Sequence, residues 1–264
     1  MRLFVFTLIT LLGCVCVHAA EKGFHQYELT GFTNTPFLPG GEFRVHQSDR
    51  PLPVRVIPSK APAIIGSSAP SDAVILFDGK NLDQFLPSPW LVTDGSVIAG
   101  KGNLVTKNAY GDCQFHVSWR APGPPQGSPS NMGNSGILFM GLYELQVYDS
   151  YSSKIYADGS AAAIYGQIPP LVNACRKPGE WQTYDVIFMA PKFDKDGKLL
   201  EAARITVLHN GVLVQNNAKI IGPMAYKNFF PYKAHAAKLP ITIQGHVSPV
   251  EFRDIWMREL DSEL

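Results

Sequence analysis

The chain is poor in charged residues, and this shortage excludes some classes of protein. Lys, Arg, Asp and Glu make up only 17% of the 264 residues, and the formal net charge is +1. A balance this close to neutral argues against a nucleic-acid partner, which would call for a basic face. Hydrophobic residues reach 45%, a share that argues against global disorder and supplies a sizeable core.

Long hydrophobic runs are also missing. The apolar stretch from Leu3 to Leu12 is shorter than the roughly 20 residues that a membrane-spanning helix needs, so we predict no transmembrane segment. Because Arg2 precedes this stretch and small residues end at Ala20, residues 1–20 are instead predicted to be a signal peptide. The expected location is therefore periplasmic or secreted. Leu11-Leu-Gly-Cys14 also resembles a lipoprotein processing site, which makes a lipid anchor on Cys14 the alternative.

Cysteine is scarce beyond the predicted signal peptide. Only Cys113 and Cys175 remain there, and no CxxC pair occurs anywhere, so the spacing typical of a zinc site is absent. In an oxidising compartment the two thiols could form a disulfide. They could equally stay reduced as small buried hydrophobic groups, and the sequence leaves both alternatives open.

Glycine and proline are abundant by contrast, and they divide the chain. The 23 Gly and 21 Pro residues are typical of many short strands joined by turns. Residues 21–70 are predicted to be a Pro/Gly-rich N-terminal extension, because the repeated prolines break regular elements. Residues 71–262 carry one strand pattern after another. We predict that they form a single all-β domain of two packed antiparallel sheets.

Alternation of apolar and polar residues identifies the strands of this domain. In residues 112–120, Cys113, Phe115, Val117 and Trp119 share one face. Residues 143–148 and 241–246 alternate in the same way. Asn210-Gly211 separates two further runs, 204–208 and 212–215, and is a strong hairpin signal.

Three predicted strands carry polar faces rich in His, Gln and Tyr. These faces are Gln114 with His116; Glu144 with Gln146 and Tyr148; and Thr242 with Gln244 and His246. Amides, a carboxylate and aromatic rings suit sugar hydroxyls and pyranose faces. The alternative is that these are ordinary solvent-exposed faces of amphipathic strands.

Seven motifs occur in order through this domain. They are Leu76-Phe-Asp-Gly-Lys-Asn-Leu82, Asn134-Ser-Gly-Ile137, Tyr143-Glu-Leu-Gln-Val-Tyr-Asp-Ser-Tyr151, Ala163-Ile-Tyr-Gly166, Lys177-Pro-Gly-Glu-Trp181, His209-Asn-Gly211 and Val250-Glu-Phe-Arg-Asp-Ile255. Together they resemble the 3-keto-disaccharide hydrolase domain family, long known as a domain of unknown function. The resemblance covers about residues 73–260. The stretch 34–41 also resembles the extension of exported bacterial members.

The resemblance implies a concanavalin A-like lectin/glucanase jelly roll that binds its sugar on the concave sheet. It also implies a hydrolase that cleaves glycosides whose glucose unit is oxidised at C3. The residues carried over are Glu144, His246 and Asp149 as catalytic candidates, and Gln146, Arg253, Asn134 and Tyr165 as substrate-binding candidates. Gln244, from the polar face of its strand, is a further substrate-binding candidate.

A ketone at C3 suggests the chemistry, because it acidifies the hydrogen at C2. A base can remove that proton, the glycosidic oxygen leaves C1 by elimination, and water adds afterwards. Glu144 or His246 is the expected base, the other or Asp149 the acid, and Arg253 and Gln146 the donors to the enolate oxygen. A divalent metal held by Glu144, Asp149 and His246 is a further possibility. A non-catalytic carbohydrate-binding module remains the alternative function, since the same fold hosts lectins.

Overall fold

The computed structural model describes residues 27–59, 69–125 and 128–260. Within these ranges the chain forms β-strands and two short 3-10 helices, Pro129–Asn131 and Ala157–Gly159. No described helix is long and apolar enough to cross a membrane. Residues 1–20, including Cys14, lie outside the described ranges, so the signal peptide and the lipid anchor stay predictions.

The strands are short, as the glycine and proline content predicts. In chain order they are β1 (Tyr27–Glu28), β2 (Val54–Arg55), β3 (Val74–Phe77), β4 (Leu91–Thr93), β5 (Ser96–Ile98), β6 (Leu104–Tyr110), β7 (Cys113–Arg120), β8 (Ser135–Phe139), β9 (Tyr143–Val147), β10 (Ser153–Lys154), β11 (Val172–Asn173), β12 (Gln182–Met189), β13 (Lys192–Phe193), β14 (Leu199–Glu201), β15 (Arg204–His209), β16 (Val212–Lys219), β17 (Leu239–Ile243) and β18 (Glu251–Glu259).

Two antiparallel sheets make up the body of the fold. The larger has the strand order β16-β15-β12-β7-β18-β5-β4, with β3 also paired to β18, and the smaller has the order β6-β17-β8-β9. The predicted all-β jelly-roll sandwich of two antiparallel sheets is therefore confirmed. The predicted hairpin is confirmed as well: Asn210 and Gly211 both have positive φ, 53° and 78°, as the tight turn between β15 and β16 requires.

The core lies between the two sheets and follows the predicted alternation. Phe115 on β7 meets Phe139 on β8 edge to face, with ring centroids 5.5 Å apart. Phe139 also stacks on Phe188 of β12 at 4.7 Å. Cys113 and Cys175 are both buried and free, so they act as small hydrophobic groups rather than as a disulfide.

The N-terminal extension packs against the domain through two short parallel pairings. Strand β1 pairs with β10 and β2 pairs with β11. Ion pairing adds to the first contact, since the ammonium of Lys154 lies 2.9 Å from the Glu28 carboxylate. Residues 27–59 therefore lie along the loops that follow β9, beside the smaller sheet.

Candidate active site

A pocket of about 450 Å³ opens on the outer face of the smaller sheet. One part of its lining is polar and comprises Asn131, Asn134, Glu144, Gln146, Gln244 and His246; another is apolar or aromatic and comprises Leu29, Ile155, Tyr156, Tyr165, Met224 and Tyr226. Its size is that of a small-molecule site. A pyranose offers hydroxyls and an apolar ring face, and both kinds of lining are present.

Strand parity directs Glu144 and Gln146 into the pocket. On β9, Tyr143, Leu145 and Val147 point into the core, so the two residues between them point to the opposite face. The segment after β9 folds back as a further edge of the smaller sheet, and the Tyr165 amide donates to the Glu144 carbonyl at 3.1 Å. Both faces of β9 are thereby covered, and all five of its residues are buried.

Glu144 is the ionisable group most affected by this burial. Its side chain has little contact with water, and desolvation raises the pKa of its carboxyl to about 8. Among the described residues, no Lys, Arg or His lies within ion-pair distance of it. No nearby positive charge among these residues therefore compensates for the hydration that the ionised carboxylate loses on burial. At neutral pH the carboxyl is therefore largely protonated and can donate a proton.

Gln146 holds the Glu144 carboxyl in place. With its amide oriented to satisfy both neighbours, Nε2 of Gln146 donates to Oε1 of Glu144 at 3.2 Å and to the Ser135 carbonyl at 2.7 Å. Donation to a carboxylate favours the ionised form and opposes part of the effect of burial on the Glu144 pKa. The carboxyl of Glu144, the proton donor, is thus hydrogen-bonded to an amide that the Ser135 carbonyl holds in position.

The other polar residues come from the loops beside β8 and β17. The Gln244 amide N–H donates to the Gly136 carbonyl at 2.8 Å, which continues the β17–β8 ladder just beyond β17. Nδ2 of Asn134 donates to the Ser130 carbonyl at 2.8 Å. His246 is exposed at the mouth of the pocket, where its imidazole is accessible to water and to a ligand.

Two residues predicted to bind or react lie elsewhere. Asp149 does not line the pocket; its Oδ1 accepts from the amides of Tyr151 and Ser152 at 3.1 and 3.0 Å, so it fixes the turn after β9. Arg253 lies on β18 in the larger sheet, with its guanidinium 3.9 Å from the centre of the Trp181 ring. Arg253 does not line this pocket, because β18 pairs with β7 in the larger sheet.

The polar face of Gln114 and His116 is also absent from the pocket, for the same reason. Strand β7 belongs to the larger sheet. His116 is buried there, with Nδ1 2.6 Å from Oδ1 of Asp185 and its ring stacked on Trp256 at 5.3 Å. Only two of the three polar faces therefore meet.

The ligand set proposed for a divalent metal does not assemble. Among the described residues, no three His, Cys, Asp or Glu side chains are grouped so that they could hold an ion. Glu144 and His246 line the pocket, but Asp149 faces backbone amides behind it. We therefore assign no step to a metal.

The pocket lies within a region that matches a known family. The 3-keto-alpha-glucoside-1,2-lyase-like domain family matches residues 72–258. The chain belongs to this family. The family to which the seven motifs pointed is thereby confirmed, and the match spans both sheets and all pocket residues except Leu29. No curated protein matches the chain.

Solved structures similar to this family member come from Parabacteroides distasonis ATCC 8503. One, of a protein assigned as a glycosyl hydrolase, is 37% identical, with a TM-score of 0.71 over 88% of this chain and 100% of that chain. Two others with the same assignment are 22% and 20% identical, with TM-scores of 0.51 and 0.52. They cover 71% and 72% of this chain, and 99% and 94% of their own chains. These two support the fold alone.

Several residues of this family member's pocket could not be found from strand patterns. Leu29 comes from the extension, Asn131 ends the first 3-10 helix, and Tyr156, Met224 and Tyr226 come from loops. Loops carry no periodicity, so alternation gives no sign of where their side chains point. The richness of the stretch 148–165 in Tyr was the one available signal.

Gly136 is required beside Glu144, which yields a first prediction. A Cβ at position 136 would lie 2.2 Å from Oε1 and 2.8 Å from Cδ of Glu144, far inside van der Waals contact. Gly136 has no left-handed φ, so Gly136→Ala strains no backbone torsion. We expect it to displace the carboxyl and to reduce turnover about 100-fold, within the range that a misplaced catalytic group costs.

The matched control is Gly41→Ala in the extension. A Cβ there meets its nearest atoms at 3.5 Å, an ordinary contact, and the residue does not line the pocket. Steady-state kinetics and thermal melting of both variants provide the comparison. Equal turnover in the two variants would contradict a role for the Glu144 carboxyl position.

Proposed function

We propose that this protein cleaves 3-keto-glucosides by elimination across C1 and C2 followed by hydration. The observation that carries the proposal is the pairing, in one sugar-sized pocket, of a buried carboxyl whose pKa is raised to about 8 with an exposed imidazole. A carboxyl that is protonated at neutral pH suits a general acid. An exposed histidine suits a general base.

The steps follow from this assignment. His246 takes the C2 proton, and the C2–H electron pair forms the enolate with the C3 oxygen. The ketone then re-forms as the C1–C2 double bond appears and the glycosidic oxygen leaves C1 with the proton of Glu144. Water adds across the double bond, placing hydroxyl on C1 and hydrogen on C2, and the net reaction is hydrolysis.

Besides an acid and a base, the reaction needs hydrogen-bond donors to the enolate oxygen, and amide side chains of the pocket can supply them. Both N–H groups of the Gln146 amide are engaged, by Glu144 and by the Ser135 carbonyl, whereas the Gln244 side chain also lines the pocket and can donate to the enolate oxygen. Amide N–H groups aimed at a developing enolate oxygen stabilise the transition state more than the ground state. The tyrosine rings offer a surface to the apolar face of the sugar.

An ordinary glycosidase fits the pocket less well. Retaining and inverting enzymes use two carboxylates about 5 to 10 Å apart, whereas Glu144 is the single carboxyl among the described residues that line this pocket. Gln146 occupies the place on the same face where a second acid would be expected. Elimination next to a ketone needs only one acid and one base.

The direct test is a substrate comparison. Disaccharides oxidised at C3 and their unoxidised parents are incubated with the protein at pH 7, and released sugar is measured. We expect turnover of the oxidised series alone. Binding of either series without turnover would instead establish a carbohydrate-binding module, and cleavage of unoxidised disaccharides would establish an ordinary glycosidase.

A further inference from the structure

A second His–carboxylate pair lies behind the tyrosines of the pocket. His46 comes from the N-terminal extension and Asp158 from the 3-10 helix Ala157–Gly159, and both side chains are fully buried. Nδ1 of His46 lies 3.1 Å from Oδ1 of Asp158, and the backbone N–H of His46 donates to Oδ2 at 2.9 Å. Arg50, also from the extension, places Nη1 3.7 Å from Oδ2.

The His46 ring packs directly against residues that line the pocket. Its centroid lies 4.1 Å from that of Tyr156 and 4.9 Å from that of Tyr165. The hydroxyls of these two tyrosines are 3.2 Å apart and hydrogen-bonded. The imidazole thus backs a connected pair of rings whose other surfaces border the sugar pocket.

The backbone at His46 is unusual, and it is held by neighbours. Its φ is 53°, in the left-handed region where non-glycine residues are uncommon. The Phe32 amide donates to the His46 carbonyl at 2.7 Å, and the approach is close enough that a Cβ on Gly31 would lie 2.2 Å from that oxygen. Such an outlier persists only where the surrounding structure determines it.

We propose that His46, fixed by Asp158, is a positioning residue for the Tyr156–Tyr165 pair, and that the extension is therefore part of the sugar site. The matched family domain begins at residue 72, so this contribution comes from outside it. Leu29 of the extension also lines the pocket. The inference rests on the proposed function only for the identity of the sugar.

The test combines His46→Asn with a control on the other sheet. Asn tolerates the left-handed backbone and can still donate to Asp158, but it lacks the ring. His116→Asn is the matched control, because His116 is also buried, paired with an aspartate and stacked on an aromatic ring, in the larger sheet. We expect His46→Asn to raise KM for a 3-keto-glucoside at least 10-fold while kcat changes less than 3-fold, and His116→Asn to change neither.

A double-mutant cycle with Tyr156→Ala shows whether the effect passes through the rings. If it does, His46→Asn should weaken binding less than 3-fold once Tyr156 is Ala. If the wild type turns nothing over, the same cycle is measured from the dissociation constant of an unoxidised disaccharide, so the proposed reaction can fail separately. Fully additive effects of His46→Asn and Tyr156→Ala on binding would overturn the proposal. So would equal losses of binding in His46→Asn and His116→Asn.

A readout without ligand completes the test. The NMR ring signals of Tyr156 and Tyr165 should shift in His46→Asn and stay in place in His116→Asn. Asp158→Asn, which keeps the side-chain shape, should reproduce both the shift and the rise in KM. Unmoved tyrosine signals in a folded His46→Asn variant would contradict the role of His46.

Discussion

Replacing Glu144 by Gln should reduce kcat for a 3-keto-glucoside by about 10³-fold at pH 7, within the range for loss of a general acid. The amide keeps the shape of the carboxyl but has no proton to give to the leaving oxygen. The new amide can place its oxygen where Oε1 of Glu144 was, so Gln146 keeps its hydrogen bonds to that oxygen and to the Ser135 carbonyl, and the pocket should stay intact. Steady-state kinetics measure the loss.

The pH dependence of stability provides the control for this variant. Because burial raises the Glu144 pKa to about 8, its proton-linked stabilisation is full below the unfolded pKa near 4.5 and is lost as pH rises through 8. Glu144→Gln removes that loss. Its free energy of unfolding should exceed that of the wild type at pH 9 by about 5 kcal/mol, with the gap closing toward pH 4.

Activity should follow the same ionisation. An acid must be protonated to act, so wild-type kcat should fall as pH rises through about 8. Full turnover in Glu144→Gln would be incompatible with Glu144 as the acid. So would a wild-type kcat that rises steadily as pH passes through about 8.

Replacing His246 by Gln should reduce kcat by about 10² to 10⁴-fold, as expected for loss of a general base. The side chain is exposed at the pocket mouth, so the melting temperature should hardly change. Gln offers no group that can take the C2 proton near neutral pH. Kinetics with the 3-keto-glucoside, together with thermal melting, test both expectations.

His235→Gln is the control for this second variant. His235 lies beside a separate apolar cavity, with Nε2 2.7 Å from the Tyr143 hydroxyl, and it should keep wild-type turnover. Added imidazole should restore part of the activity of His246→Gln and leave that of His235→Gln unchanged. Wild-type kcat in His246→Gln would show that another group removes the proton.

The fold could be predicted from the sequence because its strands alternate clearly. Strand β7 places Phe115 and Val117 in the core as alternation requires, and Asn210-Gly211 makes the predicted turn. Prediction was least accurate at strand ends. The predicted strand 241–246 stops at Ile243, and the residues after Gln244 leave the ladder and form the edge of the pocket.

The site could be predicted only in part. Glu144, Gln146, Gln244, His246, Asn134 and Tyr165 do line one pocket, whereas Asp149 and Arg253 do not. Parity fixes which face of a strand a residue occupies, but the pairing of β18 with β7 decided that Arg253 belongs to the other sheet. No sequence pattern pointed to His46 as part of the site, because it lies in an irregular segment whose position depends on long-range contacts.

Deuterium incorporation at C2 tests the central chemical claim most directly. The protein is given a 3-keto-glucoside in D₂O, with free 3-keto-glucose incubated alongside to measure spontaneous exchange. Removal of the C2 proton and later hydration predict one deuterium at C2 of the released keto sugar, formed at the rate of turnover and above the spontaneous level. Release of a keto sugar that retains its C2 hydrogen would mean direct cleavage at C1 and would contradict elimination.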